Sequence, residues 1–174
     1  MLSACAASGG GAVPPAPVGP PCEWAAGIDT RSWRPVTVGA FSFRLPPGYR
    51  EQRTRGIDSV VRRWRSRNGR FVDLDYGMYT ARFEDGPGSR MGQPMIECAA
   101  GDGTAAPQIV IYRSIEGEHV VGLYWPVPGG RALEYGANRH VQRDALWLEA
   151  SSHREQDLPE LLAIVRSVAL RQSR

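Results

Sequence analysis

Two strand-like runs meet at Asn68-Gly69, and no other stretch of this 174-residue chain restricts the fold as tightly. Ser59 to Ser66 and Phe71 to Tyr79 both favour strand, and an Asn-Gly step between such runs is a strong hairpin signal. Loop length decides which side chains meet. A two-residue turn pairs Arg67 with Arg70 and sets Arg63 and Arg65 beside Leu74 and Val72. A three-residue loop, Arg67-Asn68-Gly69 with the glycine left-handed, shifts the register by one and so changes which faces meet. Val60 and Trp64 then share a face with Val72, Leu74, Tyr76 and Met78, while Arg63 faces Asp73 and Arg65 faces Phe71. The second register groups apolar with apolar and pairs opposite charges, so it is the predicted one, with Arg62 at the rim of the apolar face.

The rest of the chain is arranged around this hairpin. Val36 to Leu45, in which Phe41, Phe43 and Leu45 alternate with Ser42 and Arg44, reads as one half-buried strand stopped by Pro46-Pro47-Gly48. Residues 81–106, rich in Gly, Pro, Asp and small residues, read as one long loop. A second hairpin follows, Gln108 to Arg113 and His119 to Trp125 around Glu116-Gly117. Both its strands are apolar on both faces, which places them centrally in the sheet. Residues 131–143 read as a polar connection, and Ala145 to Ser151 as a strand. Asp157 is positioned to cap a helix opening at Leu158-Pro159, whose Leu158, Leu161, Leu162, Val165 and Val168 form one apolar stripe. Val168-Ala169-Leu170 closes the chain as a short strand or extended tail. The expected fold is α+β: a mostly antiparallel sheet of about five to seven strands with a C-terminal helix packed on one face. Residues 23–174 form one domain, long enough to bury a core.

Residues 1–22 are of a different kind. Leu2-Ser3-Ala4-Cys5 has the pattern of a bacterial lipobox, in which small residues admit a signal peptidase and the cysteine sulfur takes the lipid. Ala6 to Pro21 carry no charge and suit a flexible spacer. Only Met1 precedes Leu2, whereas an export signal needs a basic segment and an apolar one. Two readings follow: a trimmed or late start with lipidation at Cys5, or a chance match in a cytoplasmic tail. If Cys5 is lipidated, Cys22 and Cys98 remain as a pair that an oxidising compartment allows to join. The alternative is two free thiols.

Composition adds limits. A net charge of +3 and a pI near 9.0 suggest an anionic partner, but all 21 basic residues are arginine, which points to a GC-rich genome and dilutes the inference. No stretch approaches the roughly 18 consecutive apolar residues of a membrane span, so membrane attachment is expected only through the lipid on Cys5. Asp73-Leu74-Asp75, with Glu84 eleven residues after Asp73, imitates a calcium loop, but Met78 stands where the turn glycine is required and the segment reads as strand. His119, His140 and His153 lack zinc spacing, and no Gly-x-Ser-x-Gly elbow is present. No metal or cofactor is expected. The one surface feature above background is an arginine cluster from Arg44 to Arg70, in which Arg62, Arg63, Arg65 and Arg67 are the candidate anion-binding face. Codon-inflated, cross-paired strand arginines are the plainer account of the same residues.

Phe41-Ser42-Phe43-Arg44-Leu45-Pro46-Pro47-Gly48-Tyr49, Gly56-Ile57-Asp58-Ser59, Asp75-Tyr76-Gly77-Met78-Tyr79 and the closing helix resemble small bacterial exported lipoproteins. The strand ending in Leu-Pro-x-Gly, with a helix closing the chain, also resembles the PsbP/Mog1-like group, which implies an α/β/α sandwich around an antiparallel sheet and a non-catalytic accessory or binding role. No site residues carry over from that group. The leading expectation is a lipid-anchored cell-envelope protein, periplasmic or extracellular, with a non-catalytic domain. Its partners would be the membrane through the anchor and an anionic lipid, a polymer or another envelope protein. The alternatives are a small secreted hydrolase with a cleft at the 81–106 loop, and a cytoplasmic nucleic-acid binder using the arginine face with Trp64 and Phe71 for stacking.

Overall fold

The computed structural model describes residues 28–78, 80, 91–99, 107–114, 116–135 and 140–171; for residues 91–99, 135 and 140–142 the backbone alone is described. Among these residues are twelve strands and one α-helix. The strands are β1 (Arg34–Val38), β2 (Phe41–Leu45), β3 (Arg50–Gln52), β4 (Val60–Arg65), β5 (Phe71–Gly77), β6 (Met91–Ala99), β7 (Gln108–Ser114), β8 (His119–Pro126), β9 (Ala132–Tyr135), β10 (His140–Arg143), β11 (Ala145–Ser152) and β12 (Ala169–Leu170). The helix α1 (Leu158–Arg166) follows a single 3-10 turn at Glu155–Asp157. A seven-stranded sheet has the order β3-β4-β5-β11-β8-β7-β6, β1-β2-β12 form a second sheet, and β9-β10 a ribbon. Every pairing is antiparallel, so the fold is α+β.

The β4–β5 hairpin adopts the predicted register: Val60 opposes Tyr76, Arg63 opposes Asp73 and Arg65 opposes Phe71. Its loop closes through Ser66 N–H to Arg70 O at 2.9 Å, with Gly69 at φ 80°. The apolar face of the hairpin, Trp64, Val72 and Leu74, continues across Leu146 and Leu148 to Leu123 and Ile109. On that face lie α1, against β8 and β11, and the β1-β2-β12 sheet, which brings Phe43 edge-on to Trp64 at 5.4 Å and Phe41 beside Trp125 at 5.3 Å. Gly39, at φ 53°, lies flat against the Tyr76 ring, and a Cβ there would overlap it. The β1–β2 turn thus needs glycine for both its backbone and its contact, and the single strand expected over Val36 to Leu45 is folded here into two antiparallel ones.

Periodicity located the strongly patterned elements and missed the others. The central hairpin is buried on both faces as expected: Ile109, Ile111, Val121 and Leu123 on one, Val110, Tyr112, Val120 and Tyr124 on the other. The stripe of α1 is wider than predicted, because Ala163 and Ile164 are also buried where α1 meets β2. The short closing strand is present as β12, paired with β2. Residues 81–106 are not one loop, since β6 occupies Met91–Ala99 and pairs with β7. Gly92 and Pro94 obscured it in the sequence. The register shifts at Met91/Gln93 and Gln93/Ile96, and an edge strand with such irregularities tolerates both residues. Residues 131–143 hold the β9–β10 ribbon, clamped at its base by Arg131 and Asp144 through backbone and side chain. Its described side chains are exposed, Leu133 among them, so no apolar alternation marked it in the sequence.

Asp157 stands at the N-cap position but does not cap. Its carboxylate accepts from Ser152 Oγ at 2.6 Å and from the Arg154 guanidinium at 2.9 and 3.1 Å, and no helix N–H bonds to it. The preceding 3-10 turn puts Asp157 in helical backbone geometry, and the extended conformation from which a side chain reaches back to the helix N–H groups is lost.

Candidate functional site

Strand alternation divides the four candidate arginines. Arg62 lies on the apolar face at its rim, as expected, where its guanidinium grips Glu51 at 2.7 Å through both nitrogens and covers the Trp64 ring at 5.1 Å. Arg63 points to the opposite face, where it forms a two-pronged pair with Asp73 that holds its own proton more firmly than usual. Arg65 lies on that same outer face over the Phe71 ring at 5.1 Å. Arg67 is exposed in the hairpin loop. The four therefore do not form one face: Arg62 and Arg63 are neutralised on opposite sides, while Arg65 and Arg67 form no ion pair with a described residue.

Edge strand β3 supplies what the sequence did not show. All three of its residues are exposed, so no hydrophobic period announced it. Its register sets Arg50 directly opposite Arg65 and Gln52 opposite Arg63. Arg50 also lacks an ion pair with any described residue. Side chains directly opposite on neighbouring strands have their Cβ atoms about 5 Å apart, and like charges there repel. An anion between two guanidinium groups reverses the sign, because each fork accepts a carboxylate or phosphate through two parallel hydrogen bonds. The outer row then runs Arg50, Arg65, Phe71, Ser151, with the Phe71 ring flanking the cations.

Two other arginines of the cluster, Arg44 and Arg70, hold the fold. Arg44 Nη1 donates to the carbonyls of Arg31 and Trp33. Arg70 joins the hairpin to α1, donating to Glu160 at 2.7 Å and lying 3.7 Å from Asp157. Tyr49 completes this network through a 3.1 Å hydrogen bond to Glu160; burial first, and then the Glu160 charge, push its hydroxyl to a higher pKa.

The remaining expectations separate cleanly. Asp73, one half of the calcium-like pattern, is paired with Arg63 on a regular strand, and Asp75 opposes Val61 and Trp147; Glu84 lies outside the described residues. No group of three metal-ligating side chains occurs among the described residues. His153 is exposed, 3.7 Å from Glu118. Cys5 and Cys22 lie outside the described residues, and Cys98 falls on β6, whose backbone alone is described, so the Cys22–Cys98 pair lies there too.

The Glu51–Arg62 pair makes a pH prediction. The hydrogen bonds from Arg62 hold the Glu51 carboxyl below its ordinary 4.5. A depressed folded pKa means that the stabilisation is complete above the ordinary value and is lost as pH falls through the folded one. Both side chains are more than a quarter exposed, so solvent screening limits the effect. Arg62→Gln is expected to cost about 0.5 kcal/mol at pH 7, shrinking towards nothing below pH 3. Urea denaturation of both proteins across that range checks it, and a difference constant with pH would contradict the pairing. No family model matches the chain, and no curated protein matches it.

Proposed function

We propose that the protein is a lipid-anchored cell-envelope binding protein, tethered through Cys5, whose α+β domain takes an anionic ligand at Arg50, Arg65 and Arg67. The observation that carries the binding half is the direct opposition of Arg50 and Arg65 on an exposed sheet edge, with neither in an ion pair to a described residue while Arg62, Arg63 and Arg70 are each matched to a carboxylate. The Leu2-Ser3-Ala4-Cys5 pattern supports the anchor. The antiparallel sheet with a closing helix supports the PsbP/Mog1-like reading in part, since the described residues place a helix on one face only, and we assign the domain to an accessory role of that kind.

Calorimetric titration of the full chain with inorganic pyrophosphate at low salt tests the site. Arg50→Gln and Arg65→Gln are each expected to weaken binding about tenfold, since a hydrogen bond to a charged group contributes about 1.5 kcal/mol. Arg62→Gln is expected to leave it unchanged, because Glu51 already holds that guanidinium. Equal losses in all three variants would signal diffuse charge attraction and retire the site. The anchor is tested separately: a palmitate analogue fed to cells expressing the gene with its upstream DNA should label the protein, and Cys5→Ser should abolish the label.

A further inference from the structure

The turn between β3 and β4 presents an isoleucine almost wholly to solvent: Ile57 is 98% exposed, more than any other large apolar side chain among the described residues. An extended loop swinging freely would make this unremarkable in kind, but the turn is closed upon itself. Thr54 Oγ1 donates to Val61 O at 2.7 Å across the base of the turn. At Gly56 a Cβ would overlap the carbonyl oxygen of Ser59, so residues 56 and 59 are in contact and Ile57 and Asp58 form the tip. Val60, three residues on, is 48% exposed. Arg53 and Arg55 lead into this tip on its β3 arm, both exposed and neither in an ion pair with a described residue. Two cations beside a projecting apolar side chain suit the boundary of an anionic bilayer, where the guanidinium groups meet lipid phosphates and the side chain enters below them.

We infer that the β3–β4 turn is a membrane-contacting tip that seats Ile57 in an anionic lipid surface. Charge complementarity selects this occupant: a purely apolar protein groove would leave Arg53 and Arg55 without partners. Asp58 opposes the contact, so the tip carries one net positive charge and adheres weakly by itself. The inference rests on the envelope reading only for bringing the domain near a membrane. It is separate from the Arg50–Arg65 site, because that site lies at the far end of β4, whose run from Val60 to Arg65 spans about 17 Å.

The test is sedimentation of the full chain, carrying Cys5→Ser so that no lipid is attached, with vesicles of phosphatidylcholine alone and of phosphatidylcholine with phosphatidylglycerol. Binding is expected only to the anionic vesicles. Ile57→Asp should lower the partition coefficient about tenfold, and Arg53→Gln and Arg55→Gln about fivefold each. Asp58→Asn should raise it. Thermal melts of every variant should match the parent, since these side chains bury nothing. Equal partition of Ile57→Asp and its parent would overturn the inference, as would binding to neutral vesicles alone or no binding to anionic vesicles. If pyrophosphate binding persists under any of these failures, the anion site stands and the tip is rejected. Loss of both would reject the anion site together with the tip, and the palmitate label on Cys5 judges the anchor on its own.

Discussion

Trp64→Ala is expected to lower the unfolding free energy by about 4 kcal/mol, the range measured for truncating a fully buried large aromatic. Trp64 is completely buried between β2 and the seven-stranded sheet, with Phe43 edge-on to it and the Arg62 guanidinium over its ring. Alanine would remove the ring that joins the hairpin to the second sheet and leave a cavity between β4 and β2. Trp64→Phe separates packing from hydrogen bonding. The indole Nε1 makes no hydrogen bond of good geometry with a described residue, although Glu51 lies on that side and is drawn slightly to a lower pKa by it. Losing that donor therefore forfeits little, and the phenylalanine variant should cost about 1–2 kcal/mol through lost volume alone. Urea denaturation followed by far-ultraviolet circular dichroism gives both values. Equal costs for the two variants would show that the indole nitrogen, not the packed ring, is what the site requires.

Asp157→Ala is expected to cost about 3 kcal/mol, at the lower end of the range for removing one member of a buried charged network. The carboxylate is almost fully buried and gathers Ser152, Arg154 and Arg70 at the point where β11 turns into α1. Without it the Ser152 hydroxyl is left buried with no acceptor and Arg154 loses both its contacts. Arg70 keeps Glu160, which is why the lower end applies. Asp157→Asn retains an acceptor for Ser152 but not the charge, and should fall between, near 2 kcal/mol. The same denaturation measurement orders the three proteins. Because the network joins the β4–β5 loop to the helix, the alanine variant should also show faster hydrogen exchange at the Arg70 amide, which bonds Ser66 Oγ within that loop. An alanine variant as stable as the parent would show that these charges merely coexist in the interior.

These variants fall on opposite sides of what could be read in advance. Trp64 was placed on the apolar face by register reasoning alone, since only one loop length grouped the hairpin's apolar residues. Asp157 was placed at the right position in the chain but given the wrong partner. Its position followed from local pattern, while its bonding depends on Ser152 and Arg154 being brought together by the turn that precedes the helix. Strand β3 was missed because a short, fully exposed edge strand has no apolar residues to alternate, and β6 because a proline and a glycine sit where the edge is irregular.

The arginines show the division most plainly. The sequence by itself determined that they cluster, that Arg62 and Arg63 must point to opposite faces, and that Arg63 meets Asp73, because alternation and hairpin register are local properties of the one hairpin. Only the tertiary structure decided which of them are already matched. Arg62 is neutralised by Glu51 from a separate strand, and Arg70 by Glu160, 90 residues away on the helix. Arg50 is set against Arg65 by the pairing of β3 with β4. A charge's availability depends on what lies within a few ångströms of it, and in this protein those neighbours come from edge pairing and helix docking, which leave no periodic trace in the chain.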